Sequence, residues 1–302
     1  MDNAQQGKVI ESFAQNQKSS SRKKYLLIAV LLISVILIGV AAALYFLWYV
    51  PGVQAQEYIE KSHTAFEGIA TQVSTVKENT FLDRNTQYHR REDARDDAIL
   101  DIEELDAVLG DIKEAQDTIA QLPVPQKVAV LGNTLDAYFA EGERIVSLNL
   151  ADQVFYKKVI DAYGDDLDRE IGAYDEMRYS GGDRTPFITQ TQSVADYAQD
   201  ALSRINNLEV PEGVDPFAYE IRKENLKDIK ETFLKFNEYY RLFQYELIGP
   251  AVEANAERNE ERNQQIKEHG QAYIAESNIA QGFKSLEQQS QELKNLYEQV
   301  NL

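Results

Sequence analysis

The hydrophobic pattern begins as a block and only later becomes periodic. From Tyr25 to Val50 the sequence YLLIAVLLISVILIGVAAALYFLWYV carries no charged side chain. These 26 residues, wound as a helix at about 1.5 Å per residue, cross the roughly 30 Å hydrocarbon core of a bilayer with tilt to spare. Ser34 is the only polar aliphatic residue in the block, and a helix can return a serine hydroxyl to its own backbone. Tyr25 at one end and Tyr45, Trp48 and Tyr49 at the other suit the two membrane–water interfaces. The block therefore predicts a single transmembrane anchor over residues 25–50.

Beyond Pro51 the apolar positions recur at alternating steps of three and four. They run through Ile59, Ser62, Phe66, Ile69, Val73 and Val76, and again through Ile102, Leu105, Leu109, Ile112, Ile119 and Leu122. A third stripe is Val128, Leu131, Leu135, Tyr138, Gly142 and Ile145; a fourth is Leu226, Ile229, Phe233, Phe236, Tyr240, Phe243 and Leu247. The last is Ile279, Phe283, Leu286, Ser290, Leu293, Tyr297 and Val300, in which Ser290 holds a place where a core prefers leucine. This is the one-face pattern of amphipathic helices, at seven residues per two turns. That spacing favours helices packed nearly parallel or antiparallel, as in bundles and coiled coils. No stretch alternates with period two over a useful length, so no sheet is expected. The predicted fold class is all-α: an N-terminal transmembrane helix followed by an extracytoplasmic helical bundle.

Breaks between helices are also legible. Pro123 and Pro125 end one helix and start the next. Ser180-Gly181-Gly182-Asp183-Arg184-Thr185-Pro186 is the strongest loop, with Thr185 expected as N-cap and Pro186 as the first helical residue. Asp215 is expected to cap another helix, and Gly249-Pro250 and His269-Gly270 are expected to interrupt the last third. Residues 102–125 laid on 188–211, an offset of 86, share seven identities and the ending Ile-x-x-Leu-x-Val-Pro. Similar hairpins demanding similar residues, and true duplication, explain this equally well. Either way it points to two related helical-hairpin subdomains. The expected organisation is a basic cytoplasmic tail at 1–24, the anchor at 25–50, a first helical subdomain at 51–180 and a second at 186–302.

Charge sets the expected topology. Lys8, Lys18, Arg22, Lys23 and Lys24 precede the block against Asp2 and Glu11, a balance of +3. The chain as a whole carries −19, so the part beyond the uncharged block carries −22. The positive-inside bias places the N-terminus in the cytoplasm and the acidic remainder outside. Cleavage after Ala55 is the competing expectation, but an ordinary signal peptide has an apolar region of only about 7–15 residues. The chain contains no cysteine, which excludes disulfides, palmitoylation and lipobox acylation. Nor does the outer part contain an Asn-x-Ser/Thr acceptor. Both facts fit a bacterial cell envelope better than a eukaryotic secretory route.

Candidate chemistry is sparse. Glu60-Lys61-Ser62-His63 has the Glu-x-x-His spacing of di-iron bundles, but no second such pair exists. The acidic group Asp165, Asp166, Asp168 and Glu170 departs from the EF-hand pattern, with Ile171 and Met177 where glycine and glutamate belong. No nucleophile elbow, phosphate loop or dinucleotide fingerprint occurs, and so acidic a surface repels nucleic acid. No residue is assigned a catalytic, cofactor-binding or metal-ligating role, and the chain is not expected to be an enzyme. Phe233, Phe236, Tyr240 and Phe243 are read as core; Tyr239 and Tyr245 fall off that stripe and could border an aromatic groove. The expected role is non-catalytic binding or assembly at the envelope. The partners are the bilayer through residues 25–50 and a protein; self-association through residues 271–300 is compatible with the polar Ser290. A ligand sensor acting through a partner membrane protein is the alternative, and an envelope hydrolase a more remote one.

Overall fold

The computed structural model describes residues 33–86, 91–177 and 183–300. Among these residues all regular structure is helical, and there is no strand. The basic tail, the first residues of the apolar block and the Ser180-Gly181-Gly182 segment lie outside the described residues. The helices are α1 (residues 33–44), α2 (Val50–Thr86), α3 (Arg91–Ala120), α4 (Ala129–Tyr163), α5 (Asp165–Glu176), α6 (Thr185–Asn206), α7 (Phe217–Leu242), α8 (Ile248–Glu276) and α9 (Asn278–Val300). The backbone divides into two compact units, one of residues 1–60 with Pro123–Ala129, the other of Lys61–Leu122 with Val130–Leu302.

In the first unit the described part of the apolar block is helical and wholly unburied; Trp48 is 80% exposed. A π-helical turn, Tyr45–Tyr49, separates α1 from α2. Its cause is local. Pro51 has no N–H to give the Leu47 carbonyl and its ring crowds that oxygen, so the ladder widens just upstream. The turn stacks Tyr45 on Tyr49 with ring centroids 5.3 Å apart. Ala55, Tyr58 and Val128 are buried residues of this unit.

In the second unit the periodic stripes form the core. Phe66, Ile69, Val73 and Val76 of α2, Leu105, Leu109 and Ile112 of α3, and Leu131, Leu135, Tyr138 and Ile145 of α4 are all buried. A further core cluster is built by the second half of α4 with α5, α6 and α7, from Phe155 and Val159 through Leu167 and Val194 to Phe233, Phe236 and Tyr240. Gly164 ends α4 with φ +78°, a conformation open to glycine and costly for a side chain. Arg204 of α6 satisfies the freed carbonyls, donating from Nε to Ala162 O at 2.9 Å. The dense acidic group then finds a simple place. Asp165, Asp166 and Asp168 occupy the first turn of α5, where the helix dipole favours negative charge.

Four local expectations require correction. Thr185 does not cap α6, whose N-cap position is Arg184; one residue upstream Asp183 Oδ1 accepts from the Thr185 backbone N–H at 2.9 Å, and hydrogen bonds from Thr185 lower the Asp183 carboxyl's pKa. Thr185 is already helical. Gly270 does not interrupt α8, which runs to Glu276 with Gly270 buried inside it. The helix cost of one glycine, about 1 kcal/mol, is outweighed by packing. The break comes at Ser277, whose Oγ accepts from the Ala280 N–H at 3.0 Å and starts α9. Gly249-Pro250 likewise lies in the first turn of α8, where proline is tolerated; the chain turns earlier, at Phe243. That residue takes a left-handed conformation, φ 59°, and is 63% exposed rather than core. The apolar stripe of α7 therefore stops at Tyr240.

α9 packs against α4 where Gly282 faces Ile145. A Cβ at Gly282 would sit 1.8 Å from Ile145 Cδ1, a side chain with no exposure. Gly282→Ala should therefore overpack this crossing, lowering stability by about 1–3 kcal/mol. Trimming the opposing side chain with Ile145→Ala in the same chain should recover part of that loss in thermal melting. An unchanged melt for the single variant would show that α9 can shift freely.

Candidate functional site: an open groove between α2 and α9

α9 runs antiparallel to α2 within the second unit. Tyr297 near its end stacks on Phe66, centroids 5.8 Å apart, and donates to Ser62 Oγ at 3.0 Å. Glu287, ten residues earlier, pairs with Lys77. His63, the histidine of the Glu-x-x-His spacing, meets the edge of Tyr297 at 4.7 Å and lies 3.8 Å from Glu67. Between the Tyr297 lock and the Lys77–Glu287 pair the two helices leave a groove of about 480 Å³.

The groove follows from sequence. Along α9 its wall is Phe283, Leu286, Glu287, Ser290, Gln291 and Lys294, one continuous helical face. Leu286 and Leu293 are buried on either side of the middle, but Ser290 between them is too short to reach the opposite wall. On α2 the wall is mostly small and hydroxylic, with Thr71, Ser74 and Thr75. Thr71 and Thr75 return their hydroxyls to the backbone of the preceding turn, at 2.9 and 3.2 Å, and so stay close to the helix. The floor is apolar and rigid: Val73, Leu286, Phe283 and Tyr138, all buried.

The rim carries both signs of charge, Glu67 and Glu287 against Lys77 and Lys294. Burial, and then the neighbouring Glu67 carboxylate, push the Tyr138 hydroxyl above the ordinary phenol range. Tyr138 is therefore a neutral hydrogen-bonding group on an apolar floor. Such a groove can hold an apolar surface below and pair polar groups above, with volume in the range of small-molecule sites. Nothing in it is arranged as a nucleophile with an adjacent base.

The other singled-out residues are dispersed. His269 Nε2 lies 2.5 Å from Asp215 Oδ2, and its ring stacks on Phe217 at 3.7 Å; Asp215 is not itself the N-cap of α7, which is Pro216, but it accepts from the N–H of Phe217, the helix's first residue, at 3.0 Å. Together they clamp the start of α7 to α8. Tyr239 and Tyr245 pack partly buried against the core, and Tyr174 and Tyr240 share a hydroxyl hydrogen bond of 3.1 Å. Among the described residues no three His, Asp or Glu side chains converge as metal ligands. The groove itself was marked in the sequence only by Ser290.

No protein-family model, curated protein or solved structure matches this chain.

Proposed function

We propose that the chain is a single-pass membrane protein with a non-catalytic binding or assembly role at the cell envelope, engaging its partner through the α2–α9 groove. The observation that carries the membrane part is the helix from Ile33, whose apolar window is wholly unburied. Twelve large apolar side chains between Ile33 and Tyr49 stand exposed, and moving each from water into a bilayer is favourable by about 1.5–3 kcal/mol. The basic tail, the acidic remainder and the lack of cysteine support an N-terminus in the cytoplasm and an extracytoplasmic domain of bacterial type. The binding part rests on the groove, an open site with a rigid apolar floor and a mixed-charge rim.

One experiment tests both parts. A photo-crosslinking amino acid is placed at Ser290 of the full chain in its native membranes. The chain should remain in the membrane pellet after carbonate washing, and protease added to intact cells or protoplasts should digest residues beyond 51. Irradiation should yield a discrete protein adduct. A small-molecule adduct in its place would favour the sensing alternative. A chain released by carbonate, or one protected from protease in an accessible preparation, would reject the anchoring or the topology respectively. No adduct at all would remove the groove from the proposal.

A further inference from the structure

Four charged side chains stand around the rim of the α2–α9 groove, and their signs alternate. Ser62 of α2 meets Tyr297 of α9, and Lys77 meets Glu287. This antiparallel register sets Glu67 level with Lys294, and Ser74 level with Ser290. One end of the groove therefore carries Glu67 on α2 and Lys294 on α9; the other carries Lys77 on α2 and Glu287 on α9. Lys77 and Glu287 pair with each other. Lys294 makes no ion pair among the described residues, and the basic group beside Glu67 is the His63 imidazole, 3.8 Å away. On the floor, Tyr138 is 2% exposed and its hydroxyl has no hydrogen-bond partner among the described residues. An occupant that seals the groove must bring it one.

A rim with this alternation is complementary to itself. Consider a second copy turned by 180° about an axis along the groove and set groove to groove with the first. α2 of one copy then lies beside α9 of the other at the same level. Glu67 faces Lys294 of the second copy, and Lys77 faces its Glu287, each contact occurring twice. The four helices make an up-down-up-down square with every neighbour antiparallel, which is the arrangement of a four-helix bundle. Ala70, Ser74 and Ser290 are small and let the two helix pairs come close. The facing wall of Ser74, Ser290 and Gln291 is rich in acceptors for Tyr138.

A two-fold axis across the groove would also match opposite charges, Glu67 with Lys77 and Lys294 with Glu287. It would, however, run the two copies in opposite directions. α2 starts where the apolar block ends, so copies held in one bilayer send α2 outward in the same direction. Only the axis along the groove is open to them.

We propose that the occupant of the α2–α9 groove is a second copy of this chain, set groove to groove about a two-fold axis along α2. This rests on the groove as a protein-binding site and on the membrane anchor, and it adds which protein binds. Exposed ion pairs contribute little affinity; here they set register and partner choice. From Glu67 to Lys77 the contact spans only about 15 Å of helix. The pair is therefore weak in dilute detergent and gains from confinement of both copies to one membrane.

The test uses the full chain reconstituted in lipid vesicles. The chain has no cysteine, so single cysteines serve as probes. Dyes on Val210→Cys, exposed and outside the groove, read association by energy transfer, and wild-type grooves should associate. Lys294→Glu and Glu67→Lys each bring like charges face to face twice, and each should weaken association at least about tenfold. Mixed together, the two variants should associate with one another as wild type does, because each supplies the charge the other needs. Both positions are exposed, so melting should stay as in wild type. Ser74→Cys chains mixed with Ser290→Cys chains should form an interchain disulfide faster than either does alone, since α2 lies beside α9 of the second copy and diagonal to its α2. Wild-type copies that stay apart in the membrane would overturn the proposal. Undiminished association of the single charge variants, or a mixture that fails to recover, would overturn it by placing the contact elsewhere. Faster self-crosslinking of either cysteine variant would reject the two-fold axis along α2. A photo-crosslinked adduct at Ser290 that contains a different protein would reject the second copy as occupant while leaving the groove a binding site.

Discussion

Replacing Phe236 with aspartate should abolish cooperative melting of the chain at physiological temperature. Phe236 is 3% exposed, with its ring centroid 5.5 Å from Phe233 and 6.0 Å from the stacked Tyr174. Truncating a buried phenylalanine costs about 3–5 kcal/mol. An unpaired carboxylate at the same place adds a desolvation penalty of similar size, or the group protonates and the penalty becomes that of a buried acid. The total reaches the whole stability of an ordinary domain, about 5–15 kcal/mol. Circular dichroism on heating reads the outcome. The control is Phe243→Asp, seven residues along and on the same helical stripe of the sequence. There the side chain is exposed and the backbone left-handed, which aspartate tolerates better than phenylalanine. The variant gives up the Arg184 guanidinium stacked 3.6 Å over the ring, so it should melt within about 1 kcal/mol of wild type. Equal behaviour of the two would show that α7 does not turn its stripe where the structure ends it.

Removing α9, by ending the chain before Asn278, should be as severe. Ile279, Phe283, Leu286, Leu293 and Tyr297 are buried in a single chain. At about 1.5–3 kcal/mol for each large apolar side chain, their loss amounts to roughly 10 kcal/mol and uncovers Phe66 and Tyr138. The truncated protein should therefore lose its cooperative transition and aggregate. A stable truncated chain of smaller assembly size in light scattering would instead show that α9 acts between copies. In the structure its seam faces α2 and α4 of the same chain, through Tyr297 on Phe66 and Gly282 on Ile145.

Most of the core was legible because a helix transmits sequence spacing directly into one face. Every member of the stripe from Val128 to Ile145 is buried, as are Phe66, Ile69, Val73 and Val76. Even Ser62, a polar seam residue, is buried, and Tyr297 supplies its hydrogen bond. In the paired segments offset by 86 residues, Val108 and Val194 are both buried, Ile119 and Ile205 likewise, and Val124 and Val210 are both exposed. The pattern says less where helices end. Gly270 and Gly249-Pro250 look like breaks in sequence, yet a helix accepts them when the packing around it favours continuation. A small cavity where α2, α3 and α4 meet left a faint trace: Asn149 and Gln153 stand where the α4 stripe of Ile145 should continue, and buried polar residues on an apolar face mark a hydrogen-bonded network, here begun by Asn149 donating to Thr80.

The sequence alone determined that the chain is helical, that it carries one block long and apolar enough to span a membrane, and which faces of its helices are core. These are properties of residues within a few turns of one another, set by spacing and by transfer from water. Which face meets which was decided only in three dimensions. α9 reaches α2 across more than two hundred residues of chain, and no local period encodes that pairing. The groove exists because that pairing sets Ser290 opposite Thr71 and Ser74 instead of opposite a side chain long enough to fill the gap. The small cavity exists because Thr80, Asp101 and Asn149, from three helices, are brought to line the same space. Convergence of that sort depends on the relative rotation of whole helices, a quantity that packing of the completed core supplies and no segment carries by itself.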